Sequence, residues 1–180
     1  FGSEVSSLEL DLVVNNAADA DITAYVFELD TVNTFDSANK QSSGDINPGV
    51  DTTAWQVFGL TDNTRYFWRV KSSDGSAESN WVPASFFVNT VNDRPSTPTL
   101  KNPGENAWVG LLKPAFAVNP VSDPDHDSLI YRFEVYADDA LTALVEQGAS
   151  NEPQWTPSVD LADKSRYFWR AQVEDEHGIP

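Results

Sequence analysis

Asp123, Asp125 and Asp127 stand at alternate positions in the run Ser122-Asp123-Pro124-Asp125-His126-Asp127-Ser128. Carboxylates spaced this way in a loop can converge oxygen ligands on a hard cation such as Ca²⁺. Glu134 stands twelfth from Asp123, the place of the closing ligand in an EF-hand loop. The sixth place, where that loop turns on a glycine, is Ser128, and Glu134 falls on the outward face of an expected strand. Glu28 also occupies an equivalent place beside a weaker loop that holds only Asp19 and Asp21. The EF-hand reading is therefore rejected. Two readings stay open for the three aspartates: a Ca²⁺ site, or solvated turn acids.

The remaining chemistry-bearing residues point away from catalysis. The two histidines, His126 and His177, lie in turn-rich stretches without metal-ligand spacing, and each reads as a polar turn residue. Serines are plentiful, but there is no G-x-S-x-G elbow and no glycine-rich phosphate loop. Paired carboxylates cannot be placed across a cleft. Without cysteine there is no thiol nucleophile, disulfide or cysteine-based metal site. No catalytic residue is expected.

The 180 residues carry 28 acidic against 11 basic side chains, a net charge of −17, with no cluster of Lys and Arg. A surface for nucleic acid or anionic lipid needs such a cluster, so neither is an expected partner. No apolar run approaches the roughly 18 residues that span a bilayer, so no membrane insertion is expected. Hydrophobic residues make up 40%, including 10 Phe, 6 Trp and 5 Tyr, which is enough for a packed core. No leader is visible at Phe1, and any export signal is expected to be removed or to lie outside this sequence.

These residues are organised by an internal repeat. Arg65-Tyr66-Phe67-Trp68-Arg69-Val70 recurs as Arg166-Tyr167-Phe168-Trp169-Arg170-Ala171. Upstream, Tyr25-Val26-Phe27-Glu28-Leu29 matches Tyr131-Arg132-Phe133-Glu134-Val135, and Leu12-Val13-Val14-Asn15 matches Phe116-Ala117-Val118-Asn119. Trp55 answers Trp155, and Leu60 answers Leu161. Ordered matches with drifting offsets describe a duplicated domain with loop insertions. Trp55, Trp68, Trp155 and Trp169 recur in register and read as core. Trp108 does not recur: its counterpart is about Glu4, and Asn106 and Gly110 beside it suggest a surface strand or turn. It is the candidate contact for a glycan or a protein partner, with packing against the linker as the alternative.

Inside each repeat the period is that of strands. Tyr25, Phe27 and Leu29 alternate with Val26 and Glu28, and Tyr66, Trp68 and Val70 alternate with Phe67 and Arg69. Clusters of Asp, Asn, Gly, Ser and Pro at 15–21, 33–50, 73–80, 92–106 and 119–128 punctuate the runs. The pattern predicts an all-β fold of two antiparallel β-sandwiches. One stretch, 138–147, has helical spacing in Ala140, Leu141, Leu144 and Val145. Arg69 and Arg170 are expected to pair with acids on neighbouring strands. The boundary is placed in 89–106, with repeat one at 1–91, a Pro-stiffened linker at 92–98 and repeat two at 99–180.

Leu60-x-x-x-Thr64-x-Tyr66-x-Trp68-x-Val70, repeated as Leu161-x-x-x-Ser165-x-Tyr167-x-Trp169-x-Ala171, resembles tandem fibronectin type III domains, particularly those of bacterial surface and secreted proteins. The resemblance implies an immunoglobulin-like sandwich in which the Leu and Tyr form a tyrosine corner leading into the sixth strand. The Asp123–Asp127 run is similar to loops in bacterial cadherin-like repeats, which is what the resemblance adds for Ca²⁺ as cofactor. Against that pattern the first repeat starts with its first strand incomplete. The second ends at Pro180 without a counterpart of 81–89, so its last strand is missing. Two readings cover this: a piece of a longer array, or a strand supplied by another chain, for which residues near Phe1 to Leu12 are a candidate donor.

The expected function is a structural or spacer segment of an extracellular or cell-surface protein, such as an adhesin or a filament subunit. Its partners would be neighbouring repeats or copies of itself. The alternatives are a module binding a carbohydrate or surface protein, and an accessory domain of a secreted hydrolase.

Overall fold

The computed structural model describes residues 3–19 and 21–180; Phe1, named above as part of a strand donor, lies outside them. The chain divides into two compact units, Phe1–Val91 and Asn92–Pro180, each with its own hydrophobic cluster.

The first unit contains β1 (Ser3–Val5), β2 (Leu10–Asn15), β3 (Ala24–Asp30), β4 (Gln41–Ile46), β5 (Thr52–Val57), β6 (Thr64–Ser73) and β7 (Val82–Val88). One sheet has the order β1-β7-β6-β3-β4, and β2 pairs β5 in the other. Alternation in β3 sends Tyr25, Phe27 and Leu29 inward, and in β6 it sends Tyr66 and Val70 inward. Phe27 and Leu29 are fully buried, and each such side chain stabilises the fold by about 1.5–3 kcal/mol. Trp55 and Trp68 flank Phe27, with ring centroids at 6.4 and 6.1 Å, and pack against the core while staying partly accessible.

The second unit contains β8 (Leu100–Asn102), β9 (Phe116–Val118), β10 (Ile130–Tyr136), β11 (Leu144–Ser150), β12 (Gln154–Trp155) and β13 (Phe168–Glu174). Its sheets have the orders β11-β10-β13 and β12-β9-β8. Phe133 takes the place of Phe27 between Trp155 and Trp169, at 6.2 and 6.4 Å. In both units the third strand lies between its hairpin partner and the strand carrying the recurring Phe-Trp-Arg sequence. That arrangement, with a second sheet across the core, is the fibronectin III-like, immunoglobulin-like sandwich. In the first unit β6 is flanked by β7, whereas among the described residues β13 is paired on one side only, with β10.

The sequence reading is corrected in two places. Residues 138–147 do not form a helix. Asp138 Oδ1 accepts the amides of Thr142 and Ala143, Leu141 has a φ of 54°, and the chain turns into β11. An Asp that closes a turn in this way, and a residue in the left-handed region, both stop helix propagation. The turn-rich stretch 33–50 also contains a strand, β4. Its sequence, QSSGDI, is too polar to show alternation, yet it pairs along β3.

Residues 92–98 have no regular structure but are tied to the second unit. Asn92 Nδ2 donates to Asp175 Oδ2 at 2.7 Å, Asp93 N donates to Asp125 Oδ2, and Ser96 N donates to Ser122 O at 3.0 Å.

Candidate metal centre

Three stretches of chain meet at one end of the second unit: the entry at 92–93, the loop at 123–127 after β9, and the turn at 175–179 after β13. Asp123 and Asp125 are each 5% exposed, and a carboxylate oxygen from each lies within 4.8 Å of one from Asp127. The loop is shaped by its own backbone. Asp125 N donates to Asp123 Oδ1 at 2.8 Å, His126 N donates to Asp123 O at 3.2 Å, and His126 has a φ of 65°.

The other oxygen of Asp123, Oδ2, is buried and accepts no hydrogen bond. Asp127 Oδ2 accepts none either, and it lies 3.6 Å from His177 Nε2. Asp127 also forms a second cluster with Glu176 and His177. Burial, together with the charges of Glu176, Asp123 and Asp125, holds the Asp127 carboxyl above the ordinary aspartate range, against the opposing pull of His177.

Asp175, which the sequence reading passed over, is among the most buried side chains of the chain, at 1% exposure. Its environment is the opposite of that of Asp123. Oδ1 accepts the amides of His177 (2.9 Å) and Ile179 (2.8 Å), and Oδ2 accepts Asn92. Burial would raise its pKa, but these donors outweigh burial and hold it low. Asp175 is thus a satisfied brace that fixes the turn over the site, while Asp123 is left with acceptor capacity. An acidic residue followed within four positions by amides that it can cap would have pointed to Asp175 in the sequence.

Of the other singled-out residues, His126 is in the loop itself and His177 bears on Asp127. Trp108 is fully exposed in the irregular stretch between β8 and β9, not on a strand and not packed against another segment. Val109, Leu111 and Leu112, close to it in sequence, are also exposed. Arg69 Nε donates to Glu28 Oε2 at 2.7 Å across β3 and β6, and its guanidinium lies between the rings of Phe35 and Trp81 at 4.2 and 4.3 Å. Arg170 Nε donates to Glu134 Oε2 in the corresponding pair of the second unit.

Each unit is also braced by two tyrosines. Tyr66 OH accepts the amide of Thr61 at 3.0 Å, and Tyr167 OH accepts that of Ala162 at 2.8 Å. Tyr25 OH accepts the amide of Ala17 at 2.7 Å, and Tyr131 OH accepts that of Val121 at 3.4 Å. The first pair is the tyrosine corner expected from sequence. The second pair is not evident from strand alternation, because its acceptors and donors are joined through a loop.

No protein-family model matches the chain, and no curated protein matches it. Among solved structures it is similar to the FN1–FN3 domains of chicken CNTN1, at 12% identity and a TM-score of 0.43, over 93% of this chain and 57% of that one. It is also similar to domains A168–A170 from titin, at 13% identity and a TM-score of 0.41, over 98% of this chain and 57% of that one. A third is alpha-L-rhamnosidase from Dictyoglumus thermophilum, at 14% identity and a TM-score of 0.44, over 75% of this chain and 19% of that one. The chain spans less than two thirds of the length of each.

Proposed function

We propose that this chain is a non-catalytic structural segment of an extracellular surface protein, an adhesin stalk or filament subunit that spaces or displays other parts. The observation that carries this reading is where the recurring residues are used. Phe27 with Phe133, Trp55 with Trp155, and Trp68 with Trp169 fill the two cores. Tyr66 with Tyr167 and Arg69 with Arg170 hold strands and corners. What the duplication preserves is therefore the frame of the sandwich, and the chemistry of the frame is mechanical. The net charge of −17 suits a segment that stays soluble among copies of itself. Immunogold labelling of intact source cells with an antibody to this segment tests the reading. Label on unpermeabilised surfaces supports it, and label only after permeabilisation refutes it.

A second reading is favoured by Trp108 alone. A fully exposed indole beside exposed Val109 and Leu111 suits stacking on a sugar ring or anchoring a protein partner. A glycan array probed with the chain and with Trp108→Ala separates the two. Trp108-dependent binding supports the second reading, and identical blank arrays leave the structural role alone.

A further inference from the structure

We propose that Asp123, Asp125 and Asp127 bind a Ca²⁺ ion in the 123–127 loop of the second unit, beside the turn after β13; the spacer reading does not depend on it. The acidic cluster alone would not support this, since acidic turns are common. The independent observation is Asp123 itself. Its side chain is 95% removed from solvent, and its Oδ2 accepts no hydrogen bond while the neighbouring Asp125 and Asp127 each place an oxygen within 4.8 Å. A buried carboxylate oxygen without a donor is strongly unfavourable unless an ion or a proton compensates it.

The nearby Asp175 shows how this fold satisfies a buried carboxylate when nothing else is to bind it. It does so with two backbone amides and an asparagine. Asp123 Oδ2 has received no such donor, and its neighbours add negative charge. That pattern suits a hard divalent cation.

An irregular, partly open loop suits the flexible coordination of Ca²⁺ better than the strict octahedron of Mg²⁺. Glu176, in the turn after β13, has a carboxylate oxygen within 4.8 Å of one from Asp127. The EF-hand register remains rejected, because Glu134 is engaged by Arg170 and Tyr136.

The test uses the full chain, stripped of metal with chelator and titrated with CaCl₂ by calorimetry. We expect one equivalent to bind with a Kd in the range of about 0.1–1 mM typical of extracellular modules. The melting temperature of the second unit should then rise by roughly 5–10 °C for each tenfold of Ca²⁺ beyond half-saturation. Asp123→Asn should weaken binding at least tenfold. In chelator it should melt no lower than the parent, because it removes an uncompensated buried charge. Should that variant fail to fold, Asp127→Asn at the rim must show the same loss of affinity. No heat and no thermal shift up to about 10 mM Ca²⁺ would overturn the proposal. Binding unchanged in both variants, or equal occupancy by MgCl₂ at the same concentration, would overturn it as well.

Discussion

Replacing Tyr66 by Phe removes one oxygen and leaves the ring in place against Phe86, whose centroid is 5.6 Å away. The packing is kept, so the perturbation isolates the bond from Thr61 N to the phenolic oxygen, 3.0 Å long and partly buried. Losing such a bond costs about 1 kcal/mol, and somewhat more if water cannot reach the freed amide. For a unit of this size that is a drop of about 4–8 °C in melting temperature. The equivalent bond in the second unit, from Ala162 N to Tyr167 OH, is solvent-exposed, and Tyr167 is only half-buried. Water can replace the lost oxygen there, so Tyr167→Phe should cost under about 0.5 kcal/mol. The assay is urea denaturation of the full chain, followed by hydrogen exchange so that peptides from each unit report separately. A neutral Tyr66→Phe, or a Tyr167→Phe that costs as much, would refute the reasoning that burial sets the worth of this corner.

Two further outcomes are expected. A Cβ on Gly148 would come within 2.1 Å of Trp155 Nε1, so Gly148→Ala must displace an indole packed on Phe116 and Phe133; we expect a loss of about 1–3 kcal/mol confined to the second unit, and an unchanged urea midpoint would count against that packing. In the first unit, burial raises the pKa values of Glu28 and Asp30, but Lys40 and Arg69 beside Glu28, and the Ser37, Thr31 and Val32 donors around Asp30, outweigh it and hold both low. Folded pKa values below the unfolded ones mean stability that is complete above the unfolded values and lost as pH falls through the folded ones, so the unit should weaken below about pH 4.5, and Glu28→Gln should flatten that slope in acid melts.

Much of the frame was legible in the sequence because the duplication let each repeat check the other. Tyr25, Phe27 and Leu29 matched Tyr131, Phe133 and Val135, and a two-residue period seen twice is hard to mistake. The cross-strand partners Glu28–Arg69 and Glu134–Arg170 follow from that register. The helical spacing over 138–147 misled because four apolar residues in a short run fit either period, and the deciding feature was the capping reach of Asp138. Strand β4 was hidden by its polarity, since hydrogen bonding to β3 holds it in place with Ile46 packed against the core.

At the candidate site, the alternation of Asp123, Asp125 and Asp127 was visible, but their burial was not. Aspartates in a Pro-containing loop are open to reading either as ligands or as solvated turn acids. What covers them are Asp93 from the entry and the turn fixed by Asp175, segments that only the tertiary fold brings together. The full exposure of Trp108 was likewise beyond a local reading, since its neighbours left both stacking on a partner and packing against the linker open.

The claim on which the structural role rests is that the chain is two separately folded sandwiches, each able to carry load through its own core. Pulling a single chain between its termini by atomic force microscopy tests it most directly. We expect two unfolding events, each releasing about 300 Å of chain at roughly 3.3–3.6 Å per residue, for the units Phe1–Val91 and Asn92–Pro180. One event of about twice that length, or a smooth extension with no force peak, would contradict it.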